Sequence, residues 1–561
     1  MSPFVAANMT VQVHRPPLSE HWFALPAILL FGLLLRLFFF VGIGGWDDIS
    51  YLAHVHEIGD SVFETAAADN GTFPFRYRVG LIIPTALLFR IFGASEAVAA
   101  IVPMTCSLGM IYVCWRLGRL VSPLTGAVAG LLMATLPSGI ASAGSLLPIP
   151  CGAFFAGLSV VLWIEAEGLI KPPRKPPTHL PYFLLGLSLG CAYLFRLEAG
   201  LYGIVFIALA IVYRRPHAGW LYAAVGVVTV LGAENYVYWA RHGEWLYRLK
   251  IVSIGFSSMT SELSEELSAR KSVWTFVKAV FLKPSELGVH GAAAFIAAAV
   301  SLRWCHREHR AVLLWFWTLL GYLCFGSWSL SSYVPTTKEP RYLMLVAVPG
   351  LVLLASLLAG QIQQTGRRRA VGYAGLTTVV AVGLFLTNVV WVYHRENAAG
   401  SRQLAESVRS YAREHGLHPE RTTVWAEHYV AANLVVLLPD FDVRALTDAE
   451  KNSSYYKARI SEDQIHSGLV VNDMFLNRKY SDATAVVLPN YLRSPPENWS
   501  LVYEAQTQRD GFKYAVVRWF ADVSGHRIDG LEKSLQTGRL VVYAVDSTKN
   551  SATNQAVSLS N

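Results

Sequence analysis

The sequence predicts an α-helical polytopic membrane protein with about eleven transmembrane helices, followed by a small C-terminal α/β domain. The first observation behind this prediction is composition: 53% of the 561 residues are hydrophobic and only 15% are charged, whereas a soluble protein carries about a quarter charged residues. The second is distribution. Long apolar runs occupy positions 22–393, and the remainder of the chain has the composition of a soluble domain.

A helix needs about 20 apolar residues to cross the hydrocarbon core of a bilayer. Eleven apolar runs of the sequence are predicted to span the membrane. One additional apolar run, Val79–Phe92, is short and contains Arg90, and runs of this length are more often interfacial. We therefore predict a helix that lies at the outer membrane surface there. No cleavage site follows the first run, so it is expected to remain as a helix. The predicted spans are 22–43, 96–115, 121–140, 149–165, 180–196, 199–213, 218–240, 289–304, 311–330, 342–360 and 370–393.

Basic residues in the short loops predict the orientation, because short cytoplasmic loops are enriched in Lys and Arg. With a cytoplasmic N-terminus, and with Val79–Phe92 not crossing, every basic short loop is cytoplasmic. The net charge of +8 is then a topology signal and indicates no nucleic-acid partner. The predicted organisation is a cytoplasmic N-terminus (1–21), a transmembrane domain (22–393), an extracytoplasmic α/β domain (394–546) and a disordered tail (547–561).

The C-terminal domain combines a predicted helix over 400–415 with short β-branched and aromatic runs. It contains no phosphate-binding glycine loop and no nucleophile elbow. A supporting or acceptor-binding role is therefore expected for this domain rather than catalysis. The predicted strands are Thr422–Ala426, Ala485–Leu488, Leu501–Glu504, Tyr514–Phe520 and Leu540–Val545.

An acidic pair, Asp47-Asp48, directly follows the first apolar run. Carboxylates placed at the mouth of a membrane helix suit a general base or a cation ligand. The alternative is a pair of solvated loop acids that cap the next helix. Both interpretations stay open at this point. The six cysteines form no CxxC motif, so neither a zinc site nor a disulfide framework is indicated.

Cationic residues occur at three places on the predicted outer face. Arg76 and Arg78 lie in the first outer loop, Arg196 lies between the fifth and sixth spans, and Lys338 and Arg341 lie at the mouth of a later span. The planar fork of arginine binds phosphate, so the set suits a phosphorylated lipid. Any one of them alone is more commonly a snorkelling anchor.

Glu234 is an acid within the seventh predicted span. An intramembrane acid is a functional hypothesis by default when it faces the interior of a bundle. A partner such as Arg196 would instead make it structural, and the residues leave both roles open.

Taken together, these segments resemble the GT-C glycosyltransferases, among them the protein O-mannosyltransferases and the lipid A aminoarabinose transferase type. The resemblance covers roughly residues 22–360. The similar segments are Asp47-Asp48 with Tyr51, Phe89-Arg90-Ile91-Phe92-Gly93, Leu194-Phe195-Arg196-Leu197-Glu198 and Lys338-Glu339-Pro340-Arg341-Tyr342-Leu343.

The resemblance implies a GT-C-like bundle, a sugar donor on a polyprenyl phosphate, and a single inverting displacement on the extracytoplasmic face. Asp47 would be the general base for the acceptor hydroxyl, and Asp48 its neighbour in support. The expected acceptor is a glycan, a lipid or a protein, and the expected location is the bacterial inner membrane. By the same resemblance Arg76, Arg78, Lys338 and Arg341 would hold the lipid phosphate, with Tyr51, Arg196 and Glu234 in support.

Two matters stay open. Relatives often carry an acid where Ile149 stands in this chain, which leaves the use of a divalent cation undecided. The alternative functions are a glycan polymerase or ligase, and a lipid or sugar transporter. An early acidic pair is not typical of the former. Internal repeats, typical of transporters, are not evident in this sequence.

Overall fold

The computed structural model describes residues 23–43, 47–48, 51–52, 55, 78–170, 179–213, 218–250, 274–282, 287–303, 309–327, 340–395, 399–449, 456–458, 464–474, 490–523, 535 and 537–545. The predicted N-terminal segment 1–21 and tail 547–561 lie outside these ranges. The helices of the apolar part are α1 (Ala24–Phe38), α2 (Val79–Phe92), α3 (Ile101–Val121), α4 (Pro123–Ala134), α5 (Ile149–Ala166), α6 (His179–Phe195), α7 (Tyr202–Tyr213), α8 (Gly219–His242), α9 (Gly288–Arg303), α10 (Arg310–Phe325), α11 (Met344–Ile362) and α12 (Gly366–Arg395).

The chain is an integral membrane protein. Each of the eleven predicted runs contains an apolar helix, and the doubtful run forms α2. Five helices in the described part of the chain are long and apolar enough to cross a membrane: α3, α5, α8, the segment 340–362 and α12. A bent helix pair brings this number to six. The remaining apolar helices are shorter, so the count of eleven spans and the interfacial position of α2 stay predictions.

The bent pair is a broken helix. Helix α4 ends at Ala134, a second segment runs over Pro137–Gly144, and the two are inclined by 63°. Pro137 cannot donate a backbone hydrogen bond to the preceding turn, which favours a break at this point. At the break, the Thr135 hydroxyl lies 3.0 Å from Nε2 of the fully buried His290.

Two polar side chains donate hydrogen bonds to backbone carbonyl groups on either side of this break. Arg36 of α1, which is fully buried, donates from Nη1 to the Ala134 carbonyl at 3.3 Å and from Nε to the Ser107 hydroxyl at 2.9 Å. Ser107 in turn donates to the Gly139 carbonyl at 2.8 Å. Irregular backbone at membrane depth requires such internal partners, so the sequence position of Arg36 is explained by the break.

Helix α11 lies at the centre of the bundle. Its residues Met344–Ala355 are all buried, and it packs against α3, α4, α5, α9, α10 and α12. A helix that is apolar on every side is typical of such a central position. The 3₁₀ turn Pro340–Leu343 precedes α11 and places Arg341 at one end of the bundle core.

The C-terminal domain contains a five-stranded sheet in the order β2-β1-β5-β7-β6. β1 pairs in parallel with β2 and β5, whereas β7 is antiparallel to β5 and β6. A separate antiparallel pair joins β3 and β4. The bounds are α13 (Ala399–Glu414), β1 (Thr423–Ala426), α14 (His428–Leu437), β2 (Asp442–Ala445), β3 (Thr447–Ala449), β4 (Tyr456–Ala458), β5 (Gly468–Asp473), β6 (Trp499–Gln506), α15 (Phe512–Val523) and β7 (Arg539–Val545).

One predicted strand is wrong: Tyr514–Phe520 lies within α15. The buried residues of this helix are Tyr514, Val517 and Ala521, a spacing of three to four residues that matches a helix face. β-branched and aromatic residues favour strands only weakly, and packing of one face overrode that preference. The other predicted strands lie in β1, β6 and β7, except Ala485–Leu488, which is outside the described residues.

Candidate functional site

The predicted site residues that the structure describes come from four separate parts of the chain. Asp47 and Asp48 lie between α1 and α2, and Arg78 immediately precedes α2. Arg196 follows the last residue of α6, and Arg341 lies in the turn before α11. Two further predicted residues, Arg76 and Lys338, are outside the described residues, and their role stays a prediction.

An ion pair joins Asp47 to Arg341, whose positions are 294 residues apart in the chain. Nη1 of Arg341 donates to Oδ2 of Asp47, and the two side chains are 36% and 21% exposed, respectively. Both groups are therefore reachable by a ligand while held against each other. Asp48, the second acid of the pair, is buried.

Arg196 is clamped by an acid two residues further on. It donates from Nη2 and Nε to the two carboxylate oxygens of Glu198, at 2.8 and 3.2 Å. The guanidinium also lies over the ring of Tyr342, 4.7 Å from its centroid. Because Tyr342 follows Arg341 in the chain, this contact places the guanidinium group of Arg196 next to the ion pair between Asp47 and Arg341.

Arg78 completes the cluster. Its guanidinium lies 5.3 Å from the ring centroid of Tyr51. Burial and the nearby positive charge of Arg196 lower the pKa of Arg78 to about 10, although the negative charges of Glu198 and Asp47 act in the opposite direction. Arg78 therefore keeps its charge at neutral pH but is crowded by another cation. An anion bound at this place would relieve that repulsion.

A close contact between two helices brings Arg78 and Arg196 together. A Cβ at Gly80 would lie only 3.0 Å from the backbone of Leu194 and Phe195, so the start of α2 touches the end of α6. Arg78 is two residues before this contact and Arg196 is two residues after Leu194. A larger residue at position 80 would separate the two arginines.

Glu234 belongs to a different group. Its carboxylate pairs with Arg248 at 2.5 Å, and both side chains are buried. Arg248 also donates from Nη2 to the Tyr193 carbonyl at 3.1 Å and lies over the ring of Tyr193. The partner of Glu234 is thus Arg248 rather than Arg196, and this pair accounts for Glu234 structurally. A supporting role in the site remains a prediction without a described contact.

Two participants were absent from the predicted site list: Glu198, which clamps Arg196, and Tyr342, which Arg196 covers. For Glu198 the local signal was an acid two residues after an arginine at a helix end. For Tyr342 no local signal existed, because the contact depends on how α11 meets α6.

In the part of the chain that the structure describes, the cluster around Asp47 has few acids that could bind a divalent cation. Among the described residues no group of three or more His, Cys, Asp or Glu side chains lies close enough to hold a metal ion. Asp47 and Asp48 supply two carboxylates, one of which is paired with Arg341. The carboxylates among the described residues therefore do not fit a resident metal ion, and the proposed reaction uses none.

A groove of about 640 Å³ lies elsewhere, on the C-terminal domain. Its lining includes Arg402, Arg409, Leu437 and Phe441, and it includes none of the clustered residues. Its volume would suit a small ligand, but the residue types that predict chemistry are in the cluster around Asp47.

The buried clamp on Arg196 has a testable energetic role. We expect Glu198→Gln to lower the free energy of unfolding by about 3–5 kcal/mol, because it leaves a buried guanidinium without its counter-charge. Thermal unfolding in detergent measures this effect. The matched control is Glu504→Gln, since Glu504 pairs with Arg539 at a surface where both side chains are 46% exposed, and such pairs contribute less than about 1 kcal/mol. Equal losses in the two variants would contradict the clamp.

No family model matches the sequence, and no curated protein matches it by sequence. Among solved structures, the chain is similar to ArnT from Cupriavidus metallidurans bound to undecaprenyl phosphate, with a TM-score of 0.58 and 14% identity over 94% of this chain and 98% of that one. Against ArnT in the apo state the TM-score is 0.56, with 13% identity over 94% and 99% of the two chains. A weaker similarity, with a TM-score of 0.46 and 12% identity, covers 81% of this chain and 69% of the Archaeoglobus fulgidus oligosaccharyltransferase. The chain therefore has the fold of ArnT over nearly its whole length.

Proposed function

We propose that this protein is a glycosyltransferase that moves a sugar from a polyprenyl-phosphate donor to an acceptor hydroxyl. The observation that carries the proposal is the convergence of Asp47 with Arg78, Arg196 and Arg341 at one end of the bundle. A carboxylate beside several guanidinium groups provides a base for the acceptor and counter-charges for a lipid phosphate. These residues come from distant parts of the chain, so their meeting is a property of the fold.

The reaction follows from these two roles. Asp47 accepts the proton of the acceptor hydroxyl as its oxygen attacks the anomeric carbon of the sugar. The bond between that carbon and the phosphate oxygen breaks, and the electron pair leaves with the polyprenyl phosphate. Arg341 and Arg78 stabilise the negative charge that grows on the departing phosphate. Attack from the side opposite the phosphate inverts the configuration at the anomeric carbon.

Arg341 has two roles in this scheme, one toward Asp47 and one toward the donor phosphate. It pairs with Asp47 and remains about one-third exposed. When Asp47 separates from Arg341, a donor whose phosphate lies against Arg341 can place its sugar between the two side chains, with the base and the leaving phosphate on opposite faces of the anomeric carbon, as inversion requires. This arrangement satisfies the requirement that acceptor and donor react in a fixed geometry.

The similarity to ArnT supports the choice of donor. ArnT was crystallised with undecaprenyl phosphate, and the fold shared over nearly the whole chain provides a comparable framework. We further propose that the site faces the extracytoplasmic side of a bacterial inner membrane, in agreement with the basic short loops. The sugar and the acceptor, whether glycan, lipid or protein, follow from experiment. A transporter would need the same lipid contacts but no base.

A panel of radiolabelled polyprenyl-phosphate sugars tests the proposal. Inverted and right-side-out membrane vesicles that contain the wild-type protein are supplied with each donor and with extracts of cell-envelope acceptors. We expect release of polyprenyl phosphate together with labelled acceptor, predominantly in right-side-out vesicles. Movement of an intact donor across the membrane without release would support the transporter instead.

A further inference from the structure

The backbone of residues 38–43, at the end of α1, accepts or donates several hydrogen bonds to side chains from distant parts of the chain. We call residues 38–43 the loop root, because they connect the end of α1 to the first outer loop. Within the loop root, Phe39, Val41 and Ile43 are at most 5% exposed. Since Ile43 precedes Asp47 by four residues, Asp47 lies within about 14 Å of this fixed segment.

Arg402 of α13 and Glu96 form the central contact with the loop root. Arg402 donates from Nη2 to the Val41 carbonyl at 2.8 Å, and the backbone N–H of Ile43 donates to Oε1 of Glu96 at 2.9 Å. The two side chains also pair with each other, through Nε to Oε2 at 3.1 Å and through Nη2 to Oε1 at 2.5 Å. One ion pair therefore satisfies two backbone groups on either side of Gly42.

Gly42 shows how closely this ion pair approaches the backbone. Its φ is +74°, and a Cβ there would lie 2.2 Å from Nη2 of Arg402 and 2.4 Å from Oε1 of Glu96. Only glycine adopts this conformation readily and leaves room for both side chains. Its N–H donates to the Gly144 carbonyl at 3.0 Å, which fixes the turn from its other side.

Two more residues of the C-terminal half hold the carbonyls at the start of the loop root. Trp391 of α12 donates from Nε1 to the Phe40 carbonyl at 3.0 Å. Lys513 of α15 donates to the Phe38 carbonyl, and its ammonium lies 4.3 Å from the ring centroids of Phe38 and Trp391. Side chains of α12, α13 and α15 thus hold the carbonyl groups of Phe40, Val41 and Phe38, respectively.

We infer that the C-terminal domain positions the catalytic base, with Arg402 as the main positioning residue. This inference rests on the proposed function of Asp47. The domain carries no part of the clustered site in the described residues, yet its side chains determine where the chain enters that site. Ile43 packs in the same buried cluster as Tyr51 and Leu52 of the first outer loop and Leu404 of α13. A shift of α13 would therefore be transmitted to Asp47.

The test replaces Arg402 by Gln, which removes the ion pair to Glu96. We expect kcat for sugar transfer to fall by about ten- to a hundredfold, because a misplacement of about 1 Å has effects of that size. The KM for the donor should change by less than about threefold, because the phosphate-holding arginines do not depend on this contact. The matched control, Arg539→Gln, removes an exposed pair of the same domain and should change kcat by less than about twofold.

A second readout does not depend on turnover. Amide hydrogen exchange of segment 39–48 should accelerate in Arg402→Gln, while exchange of β5 and β7 stays as in the wild type. A milder variant, Lys513→Met in α15 of the same domain, removes the hydrogen bond to the Phe38 carbonyl but keeps an unbranched side chain, and should lower kcat by about threefold to tenfold. It serves if Arg402→Gln fails to fold.

The outcomes separate the two proposals. Unchanged exchange of segment 39–48, or parallel losses of donor binding and transfer in Arg402→Gln, would overturn the positioning role. If the wild type transfers no sugar while exchange still accelerates in Arg402→Gln, the result supports the role of Arg402 in holding the loop root. That outcome would contradict the catalytic function of Asp47, and therefore also the inference that Arg402 positions a base.

Discussion

Replacement of Asp47 by Asn is expected to lower sugar transfer by about 10²–10⁴-fold, the contribution typical of a positioned general base. The amide has the shape of the carboxylate but cannot accept the proton of the acceptor hydroxyl. Donor binding should persist, because Arg78, Arg196 and Arg341 remain. Release of polyprenyl phosphate from a radiolabelled donor at saturating acceptor measures the loss in kcat, and the donor KM reports binding.

Two companion variants make this result specific. Asp442→Asn alters an exposed acid of β2 that pairs with Arg444, and it should leave transfer unchanged. Asp48→Asn tests the neighbouring acid, which is buried and is expected to act through the position of the loop. If Asp47→Asn retains most of the activity while Asp48→Asn abolishes it, the base is Asp48 and the assignment made here is wrong.

Arg341→Gln is the second variant with a large expected effect. Loss of a preorganised charge that faces the leaving phosphate typically lowers kcat by about 10²–10³-fold. Arg341→Lys should recover part of this loss, because lysine supplies the charge but not the planar fork. Steady-state kinetics with the preferred donor, at several donor concentrations, separates the effect on kcat from that on KM.

The ion pair between Arg341 and Asp47 adds a further condition. Because the two residues contact each other and act on the same reaction, the effects of Asp47→Asn and Arg341→Gln should not add in the double variant. Arg444→Gln, at an exposed pair of the C-terminal domain, is the arginine control. Full additivity of the two site variants would indicate independent roles and would argue against the geometry proposed here.

Local sequence was sufficient for most of the helices. Apolar runs separated by basic loops predicted an apolar helix in each of eleven segments, because burial of backbone in hydrocarbon leaves few alternatives to a helix. The clamp between Arg196 and Glu198 was also within reach of sequence, since the two residues are separated by one position. The run Tyr514–Phe520 shows the limit: its composition favours a strand, but the packing of one face made it a helix.

The sequence by itself therefore determined the membrane class, the apolar helices and the residue types available at their ends. Tertiary structure decided which of these residues meet. Asp47 pairs with a residue 294 positions away, Glu234 pairs with Arg248 rather than Arg196, and the C-terminal domain holds the loop root through Arg402. The physical reason is that hydrophobicity and charge act through periodicity over a few residues, whereas an ion pair depends on where packed helices bring two side chains into contact.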